Sequence, residues 1–301
     1  SFTFEKIVKK VSKVISSHCD EYLMKYIGIN QQFIFLQHGI TQNDISRWLN
    51  QIKIDLLIVS TRDEYNSIVN DYTHYKFGKK EVALIGLARH DILLKNNKVN
   101  AKQILIMPTW RMNLIISSID LGLMEMKKKI KQSKYFHKWN SLLNNGLLAK
   151  LCEKYGYAII FNPHPNIIPY LDNFNMPSYI KTIGKTESLQ KLFCNSSLLI
   201  TDYSSVAFEM AYLKKPVIYY QFDKDDFFST HYKYGYFNYR DNGFGPVVEK
   251  EQKLLIFLKV FLKNECRLSY KYLKRISNTF PFYDNNNCHR IYNTILNSKQ
   301  N

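Results

Sequence analysis

Between Leu199 and Tyr220 the chain reads LITDYSSVAFEMAYLKKPVIYY, an order that few folds can accommodate. An apolar run, a polar turn with Asp202, Ser204 and Ser205, a helical segment, a Lys-Lys-Pro stop and a second apolar run predict a βαβ unit. Such a crossover demands a parallel sheet, and in such sheets ligands gather where a strand ends and a helix begins. The turn offers hydroxyls and free backbone N–H groups at a helix N-terminus, which suits a phosphate. Ser and Asp are also the preferred helix caps, and capping is compatible with phosphate binding.

The same grammar recurs along the chain. Phe33–Leu36, Asp55–Ser60, Glu81–Ile85, Ile104–Met107 and Tyr157–Phe161 are short apolar runs that read as strands. A helix is expected from about Asp63 to Tyr72, and residues 1–27 carry apolar positions at helical spacing up to Gly28. Residues 94–102 are the only stretch resembling a linker, which places a first domain at 1–98 and a second at 99–301. Residues 223–245 read as an aromatic and glycine-rich loop. Two terminal helices are expected from about Lys250, with the option of packing back on the first domain.

His38, Arg89, Arg111, His164 and the Ser204/Ser205 pair each follow the C-terminal end of an expected strand, the edge where open α/β sheets bind ligands. Two such sheets facing across a cleft would turn all five positions toward one site.

Composition narrows the partners. The 301 residues suffice for two domains, and no apolar run approaches the ~20 residues of a membrane-spanning helix. The first thirty residues lack the pattern of a signal peptide, and the chain opens on Ser1, as a fragment of a longer product would. Five cysteines without ligand-like spacing are expected to be buried, reduced thiols. A net charge of +17 would draw the chain to an anionic membrane surface or an anionic polymer. No nucleic-acid-binding signature accompanies the lysines, so nucleic acid is not an expected partner.

Several residues are candidates for chemistry. Gln37-His38-Gly39 sets an imidazole in a turn, as a general base or as a turn histidine bonded to a carbonyl. Asn162-Pro163-His164-Pro165 fixes a second histidine between prolines, where it could bond a phosphate or protonate a leaving group. In Pro108-Thr109-Trp110-Arg111 a hydroxyl and a guanidinium match phosphate geometry, though a surface arginine beside a core tryptophan is the alternative. Arg89, in Gly86-Leu87-Ala88-Arg89-His90-Asp91, offers the same chemistry or an ion pair. Glu209 reads as a solvated or capping carboxylate, with ribose binding also open to it. The Walker A, GxSxG and HExxH signals are missing, and no carboxylate cluster suggests a fixed divalent-ion site.

In chain order, QHG at 37–39, LIVSTRDEY at 57–65, GLARHD at 86–91, MPTWR at 107–111, NPHP at 162–165, the 199–220 unit and the segment from Asp223 to Phe237 resemble the bacterial CDP-glycerol glycerophosphotransferase family, the primases and polymerases of teichoic acids and related capsules. The resemblance implies an α/β, GT-B-like fold: two Rossmann-like domains with parallel sheets facing a cleft, the first short or truncated because only about 36 residues precede QHG. It implies transfer of glycerol phosphate or ribitol phosphate from a CDP-alditol co-substrate to a hydroxyl of an anionic polymer or lipid-linked acceptor, releasing CMP. It further implies a cytoplasmic protein, peripheral on the inner face of the bacterial membrane and open to further domains of a larger polymerase. No tightly bound cofactor is expected, and the metal requirement stays open.

Carried onto these residues, the family pattern makes His38 the candidate base and places His164 against the donor pyrophosphate. Gly39, Arg89, Thr109, Arg111, Thr201, Asp202, Ser204, Ser205 and Glu209 form the donor- and phosphate-binding set. Two departures stand out: Ile40-Thr41-Gln42-Asn43 replaces the family's Thr-Pro-Leu-Lys, with Arg47 a substitute cation, and Ala88 replaces a proline. Two other functions fit the same residues, a GT-B glycosyltransferase using a nucleotide sugar and a non-catalytic polymer- or membrane-binding module derived from such an enzyme.

Overall fold

The computed structural model describes residues 2–115, 121–183 and 188–298. Two compact units emerge, one built from 1–95, 234–237 and 277–301, the other from 96–233 and 238–276.

The first unit opens with α1 (Phe2–Val8), β1 (Lys13–Ser16), α2 (Glu21–Met24), β2 (Gln32–Phe35), α3 (Ser46–Leu49), β3 (Leu56–Val59), α4 (Arg62–Val69), β4 (Val82–Leu84) and α5 (Arg89–Asn96). Its strands lie in the order β1-β2-β3-β4, all parallel, with Val14 opposite Phe33, Ile34 opposite Leu56 and Leu57 opposite Val82. β2 and β3 are buried along their whole length, as central parallel strands are. Phe33, Phe35, Leu57, Val59, Ile68 and Val82 anchor the core.

Residues 1–27 are not the single helix their spacing suggests. The adjacent β-branched Val14 and Ile15 fit an extended strand, and the Asp20 side chain, accepting from Leu23 N at 2.8 Å, starts a separate short helix.

The second unit continues with β5 (Gln103–Ile106), α6 (Met112–Ile115), α7 (Leu123–Gln132), α8 (Lys134–Leu143), α9 (Gly146–Tyr155) and β6 (Ala158–Phe161). A 3₁₀ segment over Pro165–Asn173, broken at Tyr170, leads to β7 (Ile180–Thr182), α10 (Leu189–Asn195), β8 (Leu198–Thr201), α11 (Val206–Tyr212), β9 (Val217–Tyr220) and α12 (Lys224–Thr230). Last come β10 (Val247–Val248), α13 (Glu251–Lys263), α14 (Tyr270–Thr279), which crosses between the units, and α15 (Asn287–Asn297), which belongs to the first. A third terminal helix and the short α12 replace the expected two helices and uninterrupted loop.

The six strands are parallel, in the order β10-β9-β8-β5-β6-β7. Numbered along the chain and read from the β7 edge, this is the Rossmann order 3-2-1-4-5-6, which reverses direction between β5 and β8. The 199–220 stretch forms the expected unit, β8–α11–β9. Its Lys-Lys-Pro stop has a structural reason: Lys214 takes a left-handed φ of 56°, and buried Lys215 donates to the carbonyls of Phe193 (2.9 Å) and Cys194 (2.7 Å) near the end of α10. Burial pushes the Lys215 ammonium down to about 8.

Four of the cysteines are buried and free as expected, but Cys288 is exposed. It sits in the first turn of α15, where the Asp91 carboxylate accepts from the N–H groups of Asn287 (3.0 Å) and Cys288 (2.8 Å). Among the described residues, no helix is long and apolar enough to cross a membrane.

Candidate active site

At the reversal point the loops after β5 and β8 lie side by side. Met107 N donates to Ile200 O at 2.9 Å, and the Thr201 hydroxyl donates to Met107 O at 2.6 Å. The Asp202 carboxylate accepts from Thr109 N at 2.8 Å and from Tyr203 N at 2.7 Å. Arg111 completes the brace. It is 3% exposed and donates from Nη2 to Asp202 (2.8 Å) and Asp223 (3.1 Å), from Nε to Asp223 (2.8 Å), and from Nη1 to the carbonyls of Thr109 (2.7 Å) and Trp110 (3.3 Å).

All five guanidinium N–H donors therefore have protein acceptors. Burial works against the charged form, but Asp202 and Asp223 outweigh it and hold Arg111 protonated. The Tyr203 hydroxyl donates to Asp223 at 3.1 Å, and the Tyr135, Tyr203 and Phe227 rings lie within about 5 Å of the guanidinium carbon.

This corrects the sequence-based expectation for three residues. Arg111, Thr201 and Asp202 are buried ties between loops, not groups held out to a phosphate, because their hydrogen-bonding capacity is directed into the protein. Glu209 is 5% exposed, buried in α11 rather than solvated. Ser204 and Ser205 stay half-exposed at the start of α11, and the Ser205 side chain makes no capping bond. The Thr109 hydroxyl is buried and has no hydrogen-bond partner among the described residues.

Beside this brace stands a wall of rings. Trp110 stacks on His164 with centroids 5.7 Å apart and meets the edge of His231 at 4.8 Å; His231 in turn stacks on Phe227 at 4.8 Å. Pro163 and Pro165 fix the turn, and His164 Nδ1 accepts from Asn166 N at 3.2 Å, which leaves the proton of the neutral ring on Nε2. Met112 N donates to His231 Nδ1 at 3.0 Å and sets the same tautomer there. Burial lowers both imidazoles below their ordinary value. His231, also beside Arg111 and His164, falls to about 3 and stays neutral at physiological pH. His231 was not singled out in the sequence; its signal was a histidine eight residues after Asp223 in an aromatic run.

In the first unit the QHG turn follows β2. Its left-handed residue is Gln37 (φ 58°), not Gly39, and the conformation is held by side-chain bonds. The Gln37 amide donates to Ile58 O (2.8 Å) and Glu64 (3.2 Å), and the Thr41 hydroxyl donates back to it at 3.0 Å. Glu64 also accepts from Thr41 N (2.7 Å) and Ser60 N (3.2 Å), so one carboxylate ties both sides of the turn. It is wholly buried, and burial pushes its carboxyl up to about 7.

His38 is exposed on this turn and stacks on His18 at 5.3 Å. Partial desolvation, then His18, lowers its imidazole; a bond to the Ser17 backbone opposes them, and Arg89 adds to the lowering. The Arg89 guanidinium reaches Gln37 O at 3.4 Å, so Arg89 and His38 share this unit while Asp91 is engaged by α15. Arg47, the candidate substitute cation, is exposed on α3. Gly86 and Gly235 are fixed by space: a Cβ would lie 1.9 Å from Asn287 Oδ1 at Gly86 (φ 85°) and 2.4 Å from Gln42 O at Gly235.

The sequence profile of the CDP-Glycerol:Poly(glycerophosphate) glycerophosphotransferase family matches residues 8–297. The chain belongs to this family. Its similarity to the minor teichoic acid biosynthesis protein GgaB of Bacillus subtilis (strain 168) is 41% identity over 98% of this chain and 33% of that protein. The teichoic acid glycerol-phosphate transferase of Staphylococcus aureus (strain NCTC 8325 / PS 47) is 32% identical over 34% of this chain and 26% of its own length. The chain thus spans a third or less of these family members.

Among solved structures, the wall teichoic acid polymerase TagF superposes with a TM-score of 0.72 at 20% identity, over 98% of this chain and 75% of that one. The fold is accordingly α/β and GT-B-like, with a parallel sheet in each unit. The UDP-GlcNAc 2-epimerase of Methanocaldococcus jannaschii also matches, at a TM-score of 0.55 and 15% identity over 99% of this chain and 79% of that one. A fold shared so widely does not itself select the chemistry.

Proposed function

We propose that this chain transfers an alditol phosphate, glycerol phosphate or ribitol phosphate, from a CDP-alditol to a hydroxyl of a teichoic-acid-like polymer, releasing CMP. The observation that carries the reading is the family match over residues 8–297, which takes in both histidine turns. The acceptor oxygen attacks the alditol-bearing phosphorus; a new O–P bond forms and the pyrophosphate O–P bond breaks. His38 takes the acceptor's proton, a role supported by its exposure and by the lowered imidazole, which is neutral near pH 7. His164 offers its Nε2–H to the departing CMP phosphate, a bond a neutral imidazole can make.

Thr109, Ser204 and Ser205 are the donor-side contacts we assign, since their hydroxyls lie at the reversal point of the second sheet. Arg111, Thr201 and Asp202 shape that loop from beneath. Gly39 and Arg89 we assign to the His38 side and Glu209 to the frame of α11. The work is done on the cytoplasmic face of the membrane, to which the +17 charge is suited.

His38→Ala and His164→Ala are each expected to abolish CMP release from CDP-glycerol and CDP-ribitol while melting as the parent does. Full activity in both variants removes the mechanism. Stabilisation by UDP-sugars but not by CDP-alditols in a thermal-shift screen would instead select a glycosyltransferase.

A further inference from the structure

On the second unit, α9 and α13 pack together and enclose a groove of about 630 Å³. Lys150, Lys154 and Lys259 are among its lining residues, and no carboxylate is. Leu147 is 51% exposed and Ile256 62%, and both line the same groove. The outer face of α13 continues the pattern: Phe257 and Val260 are exposed between Lys253, Lys259 and Lys263. From Gln252 to Lys263 this helix carries no acidic residue, and Glu251 at its start is engaged by Asn145.

We propose that the α9–α13 face is the surface by which the chain docks on an anionic phospholipid bilayer. Five lysines complement the lipid phosphates, while Leu147, Ile256, Phe257 and Val260 enter the boundary between headgroups and acyl chains. The interleaving decides the occupant. A polyanionic chain in solution would be held by the lysines alone and would leave four large apolar side chains in water. A bilayer surface satisfies both kinds of group at one depth, as it does for amphipathic helices lying in the interface. α13 is 13 residues long, about 20 Å by its helical rise, so it lies along the surface and does not span it. The inference deepens the membrane-face location proposed above and assigns it to specific residues.

The experiment is vesicle sedimentation of the whole 301-residue chain. Phosphatidylglycerol-rich vesicles are compared with pure phosphatidylcholine vesicles and with soluble poly(glycerol phosphate). The parent is expected to pellet with the anionic vesicles alone, less so as salt rises. A Lys150→Gln/Lys154→Gln/Lys259→Gln variant should bind them on the order of a hundredfold more weakly, at about fivefold per lysine. An Ile256→Ser/Val260→Ser variant should lose about tenfold or more by forfeiting apolar burial, with its binding to soluble polymer unchanged. All substituted side chains are exposed or line an open groove, so melting temperature and CMP release to a soluble acceptor should match the parent. Parent-like pelleting of both variants overturns the proposal. So does loss of polymer binding in the lysine variant with no lipid effect in the serine variant, which would make the face a polyanion site. Concentration-dependent self-association abolished by the serine pair would assign the face to a second copy. Absence of CMP release with intact vesicle binding would refute the catalytic reading and leave this one standing.

Discussion

Arg111 separates two accounts of the donor loop, because they predict opposite signs. If the guanidinium were a phosphate ligand, Asp223→Asn would release it from a competing carboxylate and tighten CDP binding. In the structure it is instead the keystone of a buried cluster with Asp202 and Asp223. Arg111→Lys keeps the charge, but three N–H donors on a flexible stem cannot replace a five-donor fork serving two carboxylates and two carbonyls. Leaving at least two buried acceptors without a donor in this way costs about 1–3 kcal/mol each. For a domain of this size each kcal/mol shifts the melting temperature by roughly 2–4 °C, so a fall of about 10 °C is expected. Asp223→Asn should also melt early and should bind CDP no better than the parent. The assay is thermal unfolding with titration of CDP by calorimetry on the fraction still folded. An unchanged melting temperature in Arg111→Lys with CDP binding lost, or tighter CDP binding in Asp223→Asn, refutes the reasoning.

Two further outcomes are open to measurement. Glu64→Ala strips the acceptor from Thr41 N, Ser60 N and the Gln37 amide, each unpaired buried donor costing about 1–3 kcal/mol; kcat should fall at least about tenfold as the His38 turn loosens, and an unaltered kcat would show that the turn holds without it. His231 supplies the pH prediction. Its folded value near 3 lies below the ordinary 6.5, so between those limits the unfolded chain binds the extra proton and stability falls as pH falls. The integrated loss over the whole window is on the order of 5 kcal/mol, and His231→Gln should therefore show a flatter melting-temperature profile than the parent between pH 6 and pH 4; parallel profiles would contradict the assigned burial.

The second sheet was legible because its central strands are unbroken apolar runs with turn residues at their ends, and β8–α11–β9 announces itself through Lys-Lys-Pro. β1 was not, since two adjacent β-branched residues satisfy helical spacing as readily as a strand. α12 was hidden by Asp-Asp-Phe-Phe-Ser-Thr, a sequence of weak helix propensity held in place by the burial of Phe227. At the candidate site, His38 and His164 could be picked out by their turns. The role of Arg111 could not, because its counter-ions come from Asp202 and Asp223, 91 and 112 positions along the chain. Glu64 was missed for a related reason: a glutamate in the first turn of a helix is ordinarily a solvated cap, and only the packing of Gln37 and Thr41 over it makes it an internal tie.

The bond from Asp91 to the start of α15 has a bearing on how the polypeptide matures. The first unit is a split module: residues 1–95 and 277–301 belong together, and residues 96–276, apart from the short stretch 234–237, intervene as an insertion. Lys13 reaches the Ser298 carbonyl at 2.8 Å, a contact 285 positions apart in sequence. On the ribosome the intervening module is complete while the unit that begins first still lacks its closing helix, reversing the usual N-to-C order of domain completion. Its sheet must wait for α15, whose first turn is tied to Asp91 and whose far end is tied to Lys13. Dissecting the chain at residue 95 would accordingly yield an orphaned half-module, parting Asp91 from the α15 N–H groups it accepts from.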